Sequence, residues 1–175
     1  MSLVLKPVPK VEAAAYVGGE IKNEFKLSEH FKGKWGVLFF YPLDFTFVCP
    51  TELQAFAQAQ EDFKKAGAEL AAVSIDSVYS HKAWFSTDPR LKEVKYPVIS
   101  DMNKTISRDF GVLAEDKGFA LRGTFIVDPK GIVQYEVVAA PGLGRSTDET
   151  LRSLEALKTG EKCPANWKRG EKTLG

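Results

Sequence analysis

Trp35-Gly36-Val37-Leu38-Phe39-Phe40-Tyr41 is an unbroken apolar and aromatic run, long enough for a strand buried on both faces, and Pro42 stops it. Leu53, Phe56, Ala57 and Phe63 then recur at helical spacing, and Gly67 follows Lys64 and Lys65 where a helix C-terminal cap belongs. The next expected strand is Leu70 to Ile75. A helix around Val78 to Phe85 leads to a short strand at Tyr96 to Ser100 and another helical piece around Lys104 to Phe110. Such alternation implies parallel crossovers. Thr124 to Val127 and Ile132 to Val138 flank Asp128-Pro129-Lys130-Gly131, a turn sequence, and should pair as a hairpin.

Outward from this centre, the stretch before Trp35 reads as an irregular, Pro-rich start. Thr147 to Leu157 closes the domain as an amphipathic helix. The expected organisation is one domain over residues 1–158 and an extended arm over 159–175, rich in Gly, Lys and Glu. Strand, helix, strand, then an antiparallel hairpin and a final helix is the order of a thioredoxin-like α/β sandwich, a central mixed sheet flanked by helices.

At 175 residues the chain can bury a core without disulfide or metal support. A balance of 24 Lys plus Arg against 23 Asp plus Glu, net +1, is too even for a phosphate-binding surface, so nucleic acid is not an expected partner. No apolar run approaches the roughly 18 residues of a membrane span, and MSLVLKPVPK lacks the apolar core of a signal peptide. A soluble, cytoplasmic protein is expected. The two cysteines, far apart in sequence, make neither a disulfide scaffold nor a zinc site, and together with His30 and His81 they lack metal-ligand spacing. No metal or other cofactor is expected. In a reducing compartment the cysteines invite a catalytic or redox reading.

Pro42-Leu43-Asp44-Phe45-Thr46-Phe47-Val48-Cys49-Pro50-Thr51-Glu52 carries that chemistry. It places Cys49 in the opening turn of a helix, where unpaired N–H groups and the positive dipole end favour a thiolate. Thr46 can cap that turn or direct its hydroxyl at the sulfur, and Pro42 and Pro50 restrict the loop. A helix end contributes ~0.3–1 kcal/mol, whereas a nearby arginine can lower an acid's pKa by roughly 1–3 units, so a cationic partner is required. Arg122, just before the hairpin strand, is the candidate. On sequence alone the other arginines and lysines stay open.

The run Asp44 to Glu52 resembles the peroxidatic signature of typical two-cysteine peroxiredoxins, in the branch containing bacterial alkyl hydroperoxide reductase C. Further matches are Val73-Ser74-Ile75-Asp76-Ser77, His81-Lys82-Ala83-Trp84, Leu121-Arg122-Gly123-Thr124-Phe125-Ile126-Val127-Asp128, Gly144-Arg145-Ser146 and Cys163-Pro164-Ala165-Asn166-Trp167. The resemblance implies Cys49 as the peroxidatic cysteine, with Pro42, Thr46 and Arg122 lining its pocket and Glu52 and Arg145 supporting them from behind. It implies Cys163 as the resolving cysteine, on an arm that crosses to the other subunit of a homodimer, with dimers assembling into a decameric ring. Hydrogen peroxide and organic hydroperoxides are the implied substrates, and a thioredoxin-like or flavoprotein disulfide reductase the implied partner.

Two features depart from the family pattern. The link Lys158 to Lys162 is shorter than usual, which weakens the case for reach across a dimer. The chain also lacks the Gly-Gly-Leu-Gly insertion before the third core strand and the Tyr-Phe-bearing C-terminal helix shared by readily inactivated peroxiredoxins, so resistance to overoxidation is expected. A holdase or scaffold with incidental cysteines is the alternative from another class. A thiol-disulfide oxidoreductase is disfavoured because no C-x-x-C pair exists.

Overall fold

The computed structural model describes residues 2–175. Its elements in chain order are β1 (Glu12–Val17), β2 (Glu20–Lys26), α1 (Leu27–His30), β3 (Trp35–Phe40), α2 (Cys49–Gln58), α3 (Gln60–Lys65), β4 (Ala68–Ser74), α4 (Val78–Thr87), β5 (Val98–Ser100), α5 (Thr105–Asp109), β6 (Leu113–Ala114), β7 (Phe119–Ala120), β8 (Arg122–Val127), β9 (Val133–Ala139) and α6 (Thr147–Thr159). Seven strands form one sheet in the order β2-β1-β5-β4-β3-β8-β9, and β6 pairs with β7 apart from it. The strands β3, β4 and β5 run parallel, and β8 lies antiparallel to β3.

Burial of β3 on both faces follows from its sequence. Val37, Phe39 and Tyr41 face one core, with Leu53, Phe56, Phe63, Trp84 and Leu154 from α2, α3, α4 and α6. Leu38 and Phe40 face the other, with Leu27, Ile106 and Phe110 from the α1 and α5 side. Helices therefore cover the two faces of a mixed sheet, as the element order predicts. The Phe39 and Phe56 rings stack at 4.1 Å, which fixes α2 against the strand that leads to it.

Three readings need correction. The start of the chain is not irregular, because residues 12–26 form a β1–β2 hairpin and β1 extends the sheet through β5. The helical spacing through Phe63 is interrupted at Ala59, which ends α2 and starts α3. Arg122 does not precede the hairpin strand but is its first residue. The β8–β9 hairpin turns at residues 128–132, where Asp128 Oδ1 accepts from the backbone N–H of Lys130 and Ile132 at 2.8 and 3.0 Å. From Gly160 onward the chain is irregular. No helix among the described residues is long and apolar enough to cross a membrane.

Candidate active site

At the C-terminal end of β3 the ladder finishes with Tyr41 N–H donating to Val73 O at 3.0 Å. Pro42 follows, buried, at a point where its missing N–H breaks no strand pairing. Residues 42–48 then cross to α2, whose first residue is Cys49. Its side chain is buried, the residue only 1% exposed. As the first helical residue it has an N–H with no acceptor inside the helix.

The expectation that Thr46 caps the helix is corrected. The N-cap residue is Val48, and no side chain caps it. Phe45 adopts a left-handed φ of 55°, and the chain folds back so that Thr46 Oγ1 donates to Leu43 O at 2.9 Å. With its proton so engaged, the Thr46 oxygen is left as an acceptor. Nothing among the described residues bonds Thr46 to the Cys49 sulfur.

Arg122 reaches Cys49 because β8 is antiparallel to β3, with Phe39 opposite Thr124, which brings the start of β8 to the end of β3. Its side chain is 2% exposed. Nε and Nη2 donate to Pro141 O at 2.8 and 2.5 Å, while Nη1 donates to Cys49 Sγ at 3.6 Å and to Glu52 Oε2. Glu52 lies three residues beyond Cys49, on the same face of α2. Its Oε1 accepts from the N–H and Nε of Arg145 at 2.9 and 2.7 Å, and its Oε2 from Arg145 Nη2 at 2.9 Å. Arg145 Nη1 donates to Gly123 O at 2.8 Å, and its guanidinium carbon stands 5.2 Å from the centre of the Phe39 ring. A side chain at Gly123 would meet Val112 at 2.7 Å, so glycine lets β8 pack this closely against Val112. The result is a sealed chain of groups, Cys49, Arg122, Glu52 and Arg145, held to three different elements. It offers a sulfur nucleophile beside a fixed cation.

Two contributions were missed in the sequence. Pro141 acts through its carbonyl, which no side-chain pattern announces. Asp44, read only as part of the motif, collects three side-chain donors: Tyr41 OH at 2.7 Å, Ser80 Oγ at 2.8 Å and His81 Nδ1 at 2.8 Å. Its N–H donates to Asp76 Oδ2 at 2.9 Å. Burial, and then the Asp44 charge, push the Tyr41 phenol well above its ordinary value, so it remains a donor. The same two causes, in the same order, raise the Asp76 carboxyl.

Cys163 stands elsewhere. It is half-buried on the arm, its Sγ 3.6 Å from Ala156 O and 3.5 Å from Thr159 Oγ1. Arg152 Nη1 donates to Trp167 O at 3.1 Å and holds the arm along α6 of the same chain. The start of α6 adjoins Glu52 through Arg145, and Ala156 lies ten residues along it from Ser146, a rise of about 15 Å. Within one chain the structure therefore does not bring the two sulfurs together.

The AhpC/TSA family profile matches residues 4–136. The chain is 49% identical over 181 residues to the chloroplastic 2-Cys peroxiredoxin BAS1 of Hordeum vulgare, covering 99% of this chain and 86% of that protein. It is 47% identical over 176 residues to the putative peroxiredoxin YkuU of Bacillus subtilis, covering 98% of each. Its fold is similar to that of the reduced Plasmodium vivax 2-Cys peroxiredoxin, with a TM-score of 0.93, 38% identity and 99% and 93% of the two chains covered. Mycobacterium tuberculosis AhpC gives a TM-score of 0.86 at 37% identity, over 96% and 99%.

Proposed function

The chain belongs to the AhpC/TSA family and is a cysteine-dependent peroxidase of the peroxiredoxin kind, and we propose that it works through Cys49 as the attacking thiolate and Cys163 as the resolving thiol. The observation that carries this reading is the Arg122 guanidinium, which donates from one nitrogen to both Cys49 Sγ and Glu52 inside a buried site. A fixed cation favours the thiolate over the thiol.

In the first step the sulfur attacks one peroxide oxygen, the S–O bond forms and the O–O bond breaks. The leaving hydroxide or alkoxide departs as water or alcohol once protonated, and Cys49 becomes a sulfenic acid. A thiolate loses nucleophilicity as its pKa falls, so acidity alone cannot make this step fast. Donors aimed at the breaking bond must supply the rest. Arg122 has five N–H donors; four are committed to Pro141, Glu52 and Cys49, and one on Nη2 has no acceptor among the described residues. That N–H and the Cys49 N–H are the donors assigned to the peroxide, Thr46 Oγ1 accepts a hydrogen bond from the peroxide O–H, and Pro42 shapes the wall. Glu52 and Arg145 position Arg122.

In the second step Cys163 condenses with the sulfenic acid, releasing water and forming a disulfide. The separation of the two sulfurs along α6 supports a homodimer in which the partner subunit's Cys163 resolves Cys49. Assembly of dimers into a decameric ring belongs to the same reading. A dithiol reductant, thioredoxin-like or a flavoprotein, then restores both thiols. Hydrogen peroxide and small organic hydroperoxides suit a sulfur this buried. Stopped-flow peroxide consumption with each class of reductant tests the scheme, and equal turnover by Cys49→Ser overturns it.

A further inference from the structure

The segment between β3 and Cys49 is thinly attached. Phe45 and Phe47 are 61% and 92% exposed. Thr46 bonds only to Leu43, within the segment itself. Among the described residues, every side-chain hydrogen bond from 42–47 to the rest of the chain passes through Asp44, to Tyr41, Ser80, His81 and Asp76, while Val48 is held by its neighbour on α2, Thr51 Oγ1 donating to Val48 O at 2.6 Å. The Phe45 ring adds a contact with Trp84, at 5.8 Å between centroids.

His81, like Tyr41, is fully buried. It lies on α4, and its Nε2 has no hydrogen-bond partner among the described residues. A carboxylate only accepts, so Nδ1 carries the proton and the Asp44 bond is the single polar interaction of the ring. The nearest aromatic neighbour is Phe85, 6.5 Å away. A histidine placed there without partners of its own serves the segment rather than the helix.

We propose that His81 is a positioning residue for the peroxidase reaction: its hydrogen bond to Asp44 is the clasp that holds residues 42–48 closed over Cys49, and its strength sets how Cys49 sulfenic acid is shared between disulfide and sulfinic acid. This rests on the reading of Cys49 and Cys163 given above. A disulfide needs the two Cα atoms roughly 4.4–6.8 Å apart, and a sulfur buried at the start of α2 cannot be met there by another chain until 42–48 and the first turn of α2 open. Closed, the site favours attack, both the first peroxide and a second that turns sulfenic acid into sulfinic acid with loss of water. Open, it favours condensation with the Cys163 thiol. A weaker clasp thus slows both oxidations and speeds resolution.

The test compares His81→Phe, which removes the donor, with His81→Asn, whose side-chain N–H can replace Nδ1–H. Single-turnover stopped flow reads the attack and disulfide steps separately, and mass spectrometry after turnover in graded hydrogen peroxide gives the dose at which half of Cys49 is sulfinic. His81→Phe should resolve about tenfold faster, attack more slowly and need about tenfold more peroxide to reach that dose, the loss of one buried hydrogen bond to a charged group. His81→Asn should stay close to wild type. If His81→Phe does not fold, Ser80→Ala removes another donor to the same carboxylate oxygen, and a several-fold shift in the same direction is expected. Rates that fall together, or do not move, overturn the clasp. Wild-type turnover that survives Cys49→Ser overturns the reading beneath it instead.

Discussion

Arg122→Lys separates charge from geometry at the sulfur. Lysine keeps the positive charge beside Cys49 but has three donors in place of five, on a flexible stem. Arg122 already spends two N–H groups on Pro141 O, one on Glu52 and one on Cys49 Sγ. An ammonium that meets Pro141, Glu52 and the sulfur has none left for the peroxide, and one that turns to the peroxide gives up Pro141 O or leaves Glu52 with Arg145 as its one partner, in a site where the Arg122 and Glu52 side chains are 2% exposed. The loss is therefore one preorganised donor at the breaking O–O bond, for which comparable donors are worth about 10²–10³-fold in rate. The thiolate population should change far less, because the charge remains. The assay is stopped-flow fluorescence of the first turnover in a Cys163→Ser background, with thiolate absorbance followed across pH on the same sample. A rate that drops only in step with thiolate absorbance would falsify the transition-state role of the fork.

Cys49→Ser should abolish peroxide turnover, while Cys163→Ser should consume about one peroxide per subunit and stop, as counted by residual peroxide. One equivalent of peroxide should convert wild type to a disulfide-linked dimer on a non-reducing gel; a monomer with a mapped Cys49–Cys163 linkage would show resolution within one chain. Arg145→Ala leaves Glu52 with one partner instead of two in a buried network, where breaking a pair costs about 3–5 kcal/mol. At about 2–4 °C per kcal/mol for a chain of this size the melting temperature should fall by roughly 10 °C. Burial holds His30 below its ordinary value of 6.5, against the opposing Leu70 carbonyl. The native state thus binds fewer protons there, and stability is complete above pH 6.5 and drains as pH falls below it. His30→Gln should narrow the difference in melting temperature between about pH 7.5 and about pH 5.5; an unchanged difference would assign the acid loss to other groups.

The legible parts of the fold were those with one dominant period. Trp35 to Tyr41 has apolar residues on both faces, and the β8–β9 turn carries Pro129 and Gly131 in turn positions, so both were readable. The β1–β2 hairpin was not. In β2 the apolar residues Ile21 and Phe25 are separated by Lys22-Asn23-Glu24, which breaks alternation, and β1 contains Ala13-Ala14-Ala15, which carries no strand signal. These strands are specified by pairing with each other and with β5, not by local preference. Cys49 at a helix start was visible because strand, proline and helical spacing are contiguous. Arg122 and Arg145 are 70 and 93 residues from Glu52; the strand order offered Arg122 as one candidate among the basic residues, and only the resemblance singled it out and pointed to Arg145. The Asp44–His81 pair had no signal, since a histidine on a helix looks the same whether it faces solvent, core or an acid.

The run of groups from Cys49 through Arg122 and Glu52 to Arg145 makes the site a gauge of its own oxidation. With Cys49 as thiolate the four charges cancel. Formation of the neutral sulfenic acid removes the one anion that can be removed, and the same closed volume is left with a surplus guanidinium, both arginine side chains being at most 5% exposed. An uncompensated charge so enclosed is unfavourable by several kcal/mol, and water is the only remedy within reach. On the proposed scheme, oxidation would thus favour opening of the segment over Cys49 at the moment when the second thiol must enter. A sulfinic acid is anionic again at neutral pH, so on the same scheme a fully oxidised site would return to zero net charge and favour the closed segment once more.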